Sequence, residues 1–163
     1  MSTRSLKVLQ SVREWPAGLW IFSKLVCFTA PYFSSIRPVF ITLEPGYAKA
    51  KLKKRRAVTN HLGTVHAGVQ WMAAEAVGGV IALRNFDPRR YVVVVRSVEI
   101  EFERPARGAI AVEACMSEDE FQRIEALLEE VGKADFELDI VIETEMGRVT
   151  RAHGRYQLLV RER

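Results

Sequence analysis

Polar and apolar residues alternate along six stretches of the chain, and three further stretches repeat apolar residues at helical spacing. RPVFITLEPG, residues 37–46, predicts a strand with Val39, Ile41 and Leu43 on one face, closed by a Pro45-Gly46 turn. YAKAKLKKR predicts the second arm of a hairpin, with Ala48, Ala50 and Leu52 alternating against lysines. YVVVVRSVEIEFER predicts a long strand with Val98, Ile100 and Phe102 on one face, and AIAVEACM a shorter one with Ile110, Val112 and Ala114 facing in. DFELDIVIETE sets Phe136, Leu138, Ile140 and Ile142 against Glu137, Asp139 and Glu143; a turn at Met146-Gly147 leads to the last strand, RVTRAHGRYQLLV.

The helical stretches are residues 8–30, broken near Trp15-Pro16; residues 67–83; and SEDEFQRIEALLEEVG. In the last, Ser117 is a good N-cap with Glu120 three residues on, and Gly132 marks the stop. The order α-β-β-α-β-β-α-β-β, with hairpin-like turns between most strands, predicts an α+β fold: an antiparallel sheet packed over a central helix. Residues 1–34 are expected to form an N-terminal helical segment packed on a domain of residues 35–163.

The central helix changes the picture. It contains Ala67, Gly68, Ala73, Ala74, Ala76, Gly78 and Gly79. Glycine in a helix interior costs up to about 1 kcal/mol against alanine, so the thinness calls for a close neighbour on at least one side. On a helical wheel Val69, Ala73, Val77 and Val80 make the core stripe. Glu75 falls opposite, among Gly68, Trp71, Met72, Gly78, Gly79 and Ala82. A face of Trp, Met, Gly and Ala suits a covering subunit better than solvent.

Composition then narrows the class. The 163 residues are 48% hydrophobic and 27% charged, an ordinary globular balance, with a net charge of +4. Cys27 and Cys115 lack metal or redox spacing and read as buried thiols in a reduced, cytoplasmic compartment. AGLWIFSKLVCFTAPYF is interrupted by Lys24 and ended by Pro31, too short and broken to span a bilayer, so no membrane partner is expected. Glu14 and Pro16 spoil a signal-peptide reading. The segment reads as an amphipathic helix on the domain, or as a wall for an apolar ligand. The basic stretch KAKLKKRR lacks interleaved aromatics, which argues against nucleic acid.

The residues NHLGTVHAG, followed by an acid nine positions after His66, resemble the hot-dog-fold thioesterase superfamily, in particular its phenylacetyl-CoA thioesterase-like members. With APYFSSIRP upstream and AEAVGG downstream, the chain looks closest to the hot-dog branch designated domain of unknown function 4442. The resemblance implies a sheet wrapped around a long helix, protomers joined as a homodimer or a dimer of dimers, and acyl thioesters of CoA or an acyl carrier protein as substrates, with no separate cofactor. It implies Glu75 as the catalytic acid residue, Asn60 as the loop residue that orients water or substrate, the Ala67 N–H as the group polarising the carbonyl, and a less defined part for His66. Gly68, Trp71, Thr64, Arg55 and Arg56 are the expected substrate-binding residues. Two positions depart from the family pattern: Ala67 replaces a glycine, and Val93 stands where relatives often have Ser or Thr, with Ser97 the nearest hydroxyl.

Elementary chemistry points the same way. A helix start supplies free N–H groups and a positive dipole end for a developing oxyanion. Glu75 is the helix's only carboxylate and can serve as nucleophile or general base. Eight residues of helix put it roughly 12 Å from Ala67 along the axis. The two therefore meet on one thioester only if a second, antiparallel helix lies alongside. Arg96, in register with the apolar face of its strand, is an alternative partner that would make Glu75 structural. His61 and His66 have no third ligand nearby, so no metal is expected. The alternatives to hydrolysis are a non-catalytic acyl or lipid-like ligand binder and a purely structural dimer.

Overall fold

The computed structural model describes residues 18–161; the helical reading of residues 8–17 lies outside them. The elements are α1 (Gly18–Thr29), β1 (Val39–Glu44), β2 (Tyr47–Leu52), α2 (Ala67–Asn85), β3 (Tyr91–Phe102), β4 (Ile110–Cys115), α3 (Glu118–Val131), β5 (Lys133–Thr144) and β6 (Gly147–Val160). Short 3-10 segments follow α1 (Pro31–Ser35) and precede α2 (Arg56–Val58). All six strands form one antiparallel sheet in the order β1-β2-β4-β5-β6-β3. It wraps around α2, which touches every strand. This is the hot-dog architecture.

The α3 ends match their local chemistry. Ser117 Oγ accepts the Glu120 N–H at 3.2 Å, and Gly132 stops the helix in the left-handed conformation, φ 73°. Alternation in β5 and β6 puts Phe136, Leu138, Ile140, Ala152, Tyr156 and Leu158 against α2.

The helix is buried on more sides than the wheel suggested. Met72, Ala82 and Gly78 are buried along with Ala73, Val77 and Val80. Gly78, expected to face a neighbouring helix, faces its own sheet instead. A Cβ there would stand 2.0 Å from the Tyr156 hydroxyl, and one at Gly154 would stand 2.5 Å from the same ring. The ring stacks on Phe136, centroids 5.2 Å apart, and is fully buried. Two glycines on two elements thus leave the space for one tyrosine.

Three other expectations are corrected. In β1 a bulge between Phe40 and Thr42 breaks the alternation, so Phe40 and Leu43 point in while Val39 and Ile41 are exposed. In β3 a second bulge between Val95 and Ser97 leaves Arg96 exposed, away from Glu75. Cys115 is exposed, and Cys27 is half-buried and free.

Gly78→Ala should cost about 1–3 kcal/mol, because neither the stacked ring nor the helix backbone has room to yield. Tyr156→Phe should be neutral or stabilising in the same chemical denaturation experiment, since the Tyr156 hydroxyl is buried without a hydrogen-bond partner among the described residues.

Candidate active site at the start and middle of α2

The loop before α2 is organised from within. Asn60 Oδ1 accepts the N–H groups of Leu62 (3.0 Å) and Thr64 (3.1 Å), and Asn60 Nδ2 donates to Thr64 Oγ1 at 2.9 Å. Gly63 supplies the left-handed turn, φ 71°. The Val65 and His66 N–H groups donate to the Ala106 and Val58 carbonyls, both at 2.9 Å. Asn60 and Thr64, expected on substrate, are thus turned on each other, and Thr64 is buried.

This loop delivers His66 to the N-cap of α2. Its Nδ1 accepts the Gly68 N–H at 3.0 Å, which requires the tautomer with the proton on Nε2. Its carbonyl oxygen accepts from the N–H groups of Val69 (3.0 Å) and Gln70 (3.2 Å). Of the four N-terminal amides, only the Ala67 N–H has no acceptor among the described residues, and Ala67 is exposed. His66 therefore acts on the helix start by capping it, and takes the Gly68 N–H out of play.

Gln70 has no place in the sequence-based site, yet it fixes the site's geometry. Buried in α2, its Nε2 donates to the Val65 carbonyl at 3.1 Å, and its Oε1 accepts from Thr150 Oγ1 at 2.6 Å. It ties the loop to β6. A polar residue on the core stripe, three positions before Ala73, is the sequence signal that could have found it.

Glu75 is half-buried and makes no hydrogen bond or ion pair among the described residues. Burial alone pushes its pKa above the ordinary carboxylate value. The neighbouring Tyr156 phenol is pushed well above its ordinary value, by burial first and by the Glu75 charge second. Trp71, one turn before Glu75, is 37% exposed, and its indole N–H donates to the Val98 carbonyl of β3 at 3.1 Å. Beyond Glu75, Gly79 faces open space. Gly68, Trp71, Glu75 and Gly79 form an uncovered stripe along α2.

A cleft of about 300 Å³ lies beside the helix start, lined by Tyr32, Ser35, Val58, His66, Gly68 and Met72. The segment after α1 lines this cleft, while α1 itself packs on the domain through Phe22 and Val26. Arg55 fixes the lining segment by donating to the Ser35 carbonyl, and Ser35 Oγ lies 3.8 Å from the Met72 sulfur. Arg56 is exposed. Ser97 lies opposite Arg155, on the outer face of the sheet, and does not supply the hydroxyl missing at Val93. A larger groove, about 680 Å³, also lies on that outer face; its Arg123 and Arg155 pair with Glu120 and Glu137.

Known proteins share this architecture. A Pseudomonas aeruginosa protein of unknown function, described as a probable thioesterase, superposes with a TM-score of 0.78 at 29% identity, over 85% of this chain and 93% of that one. A candidate thioesterase from Shewanella oneidensis gives a TM-score of 0.71 at 15% identity, over 86% and 96%. A thioesterase enzyme from Staphylococcus aureus gives 0.67 at 14% identity, over 79% and 98%. No curated protein matches the chain in sequence. The family model described as domain of unknown function DUF4442 matches residues 18–160, so the chain belongs to that family.

Proposed function

We propose that the protein is a thioesterase that hydrolyses acyl-CoA or acyl-carrier thioesters at sites completed between two copies of the chain. The observation that carries this reading is Glu75, a half-buried carboxylate on the uncovered stripe of α2 with no partner among the described residues. A carboxylate held there without a cation is costly unless it has a task. The unpaired Ala67 N–H is the complementary group, and it lies too far along its own helix to share a substrate with Glu75. An antiparallel α2 from a second copy removes that distance. β3 supports such pairing, being a free sheet edge of twelve residues with Val92 and Val94 exposed.

In the reaction, Glu75 of one copy takes a proton from water as the oxygen attacks the thioester carbonyl carbon. The Ala67 N–H of the other copy stabilises the oxyanion. The C–S bond then breaks, and the proton goes to the departing thiolate. Glu75 can instead attack directly, expelling the thiolate and forming an anhydride; water then opens the anhydride to the acid and the carboxylate and supplies the proton that the thiolate takes. Of the two arginines expected to bind substrate, Arg56 remains exposed while Arg55 is engaged by Ser35. The Staphylococcus aureus enzyme has been solved with alanine replacing a glutamine and, separately, a glutamate fifteen residues later. Asn60 and Glu75 have the same separation.

A second reading, acyl binding without hydrolysis, is favoured by Val93 in place of a hydroxyl and by the self-satisfied Asn60. A panel of acyl-CoAs separates the two. We expect thiol release by the wild type and a fall in kcat/KM of about 10²–10⁴ in Glu75→Gln. No turnover of any acyl-CoA or acyl-carrier thioester would leave the binding reading. The rate should rise with pH through the Glu75 pKa, above the ordinary carboxylate range, because the ionised form acts.

The same group predicts a stability trend of opposite sign. A folded-state pKa raised above the unfolded value gives stability that is present at low pH and lost as pH rises through the folded pKa. Glu75→Gln should therefore melt higher than wild type at neutral pH, with the difference closing below the unfolded carboxylate pKa. Thermal melts across pH check this.

A further inference from the structure

From the surface of α1 we infer that this face docks on an anionic membrane surface. Trp20, Phe28 and Tyr32 are 58%, 80% and 73% exposed, and they follow one another with Lys24 at four-residue intervals. The Lys24 ammonium lies 5.3 Å over the Trp20 ring. The other side of α1 is fixed: Phe22, Ser23 and Val26 are buried, Phe22 meets Phe40 edge-on at 5.4 Å, and Ser23 Oγ accepts the Phe40 N–H at 2.8 Å. The aromatic row is therefore held outward by a well-packed underside.

The part of the chain that carries this face is rich in cations. Between Gly18 and Ala74 the sequence has eight Lys and Arg against a single acid, Glu44. From Glu75 onward it has thirteen against eighteen Asp and Glu, so the excess of cations lies in the part of the chain that carries α1, although Lys49 is paired with Glu113 and Glu143. The cations sit beside the aromatic row. Lys24 and Arg37 both act electrostatically on the Cys27 thiol, next to Phe28. Tyr32 shares its cleft with Ala57 and Val58, which places exposed Lys53, Lys54 and Arg56 at that end.

These features select the partner. The row flanks β1, at the opposite edge of the sheet from β3, so pairing of copies through β3 leaves it free. A second copy seated here would bring two basic surfaces together. An acidic protein would match the charge, but protruding Trp and Phe side chains separated by a lysine match the boundary between headgroups and acyl chains, where aromatic rings and long basic stems settle. Anionic headgroups complete the fit. The expectation of no membrane partner concerned a spanning helix, and among the described residues no helix is long and apolar enough to cross a membrane. A helix lying on the surface is a different arrangement. It would also bring the cleft behind Tyr32 to where acyl amphiphiles concentrate, whatever chemistry follows.

Flotation of the full chain with vesicles of phosphatidylcholine, with and without phosphatidylglycerol, tests this. The protein should float with the anionic vesicles, remain behind with the zwitterionic ones, and dissociate in high salt. Trp20→Ser/Phe28→Ser and Lys53→Glu/Lys54→Glu should each weaken binding by about tenfold or more, with unchanged melting temperatures. No flotation with anionic vesicles overturns the inference, as does flotation that both variants retain. Capture by an acidic carrier protein, or self-association, that depends on Trp20 and Phe28 while vesicles are ignored overturns it too.

Discussion

The close approach of the sheet to α2 is the constraint from which the rest follows. The Tyr156 ring occupies the volume that a side chain at residue 78 would need, and Gly154 opens its other flank. A helix this thin can sit deep in the curved sheet, touching all six strands and leaving a stripe uncovered. Glu75 lies on that stripe. Depth explains why its carboxyl group is hard to ionise, and no cation among the described residues relieves it.

The loop from Asn60 to His66 solves a related problem at the helix start. Four amides need acceptors there. His66 satisfies three, one with its ring and two with its carbonyl oxygen, and Gln70 anchors the loop from below. What remains is a single N–H at Ala67, aimed out of a rigid turn. A preorganised donor of this kind suits an oxyanion better than a mobile side chain, because it has little to reorganise when charge develops. The polar residues of the motif thus build the support, and the group left without an acceptor among the described residues is a backbone amide.

Much of this was legible in the sequence because it rests on local periodicity. Strand alternation, the Ser117 cap, the Gly132 stop and the α+β order all follow from spacing, and the NHLGTVHAG motif pointed to the right family. What misled was geometry between elements. The bulges in β1 and β3 shift side chains by one position without any change in composition, so Phe40 replaced its neighbours in the core and Arg96 left the helix side. Gly78 was read as room for another subunit because a wheel does not say that Tyr156, far away in sequence, will fill it. Asn60 and Arg55, expected on substrate, also make hydrogen bonds within the chain that spacing does not disclose.

The central claim is that Glu75 of one copy and the Ala67 N–H of another act on one substrate. Ala67→Pro removes that N–H at the first helical position, where proline is tolerated, and His66 already has the extended backbone that proline requires of its predecessor. Unfolding and refolding Glu75→Ala together with Ala67→Pro, each inactive alone, is the direct measurement. Thioesterase activity should return to about a quarter of the wild-type level, since half the random dimers are mixed and each carries one intact site. A mixture as inactive as its parents would contradict the account.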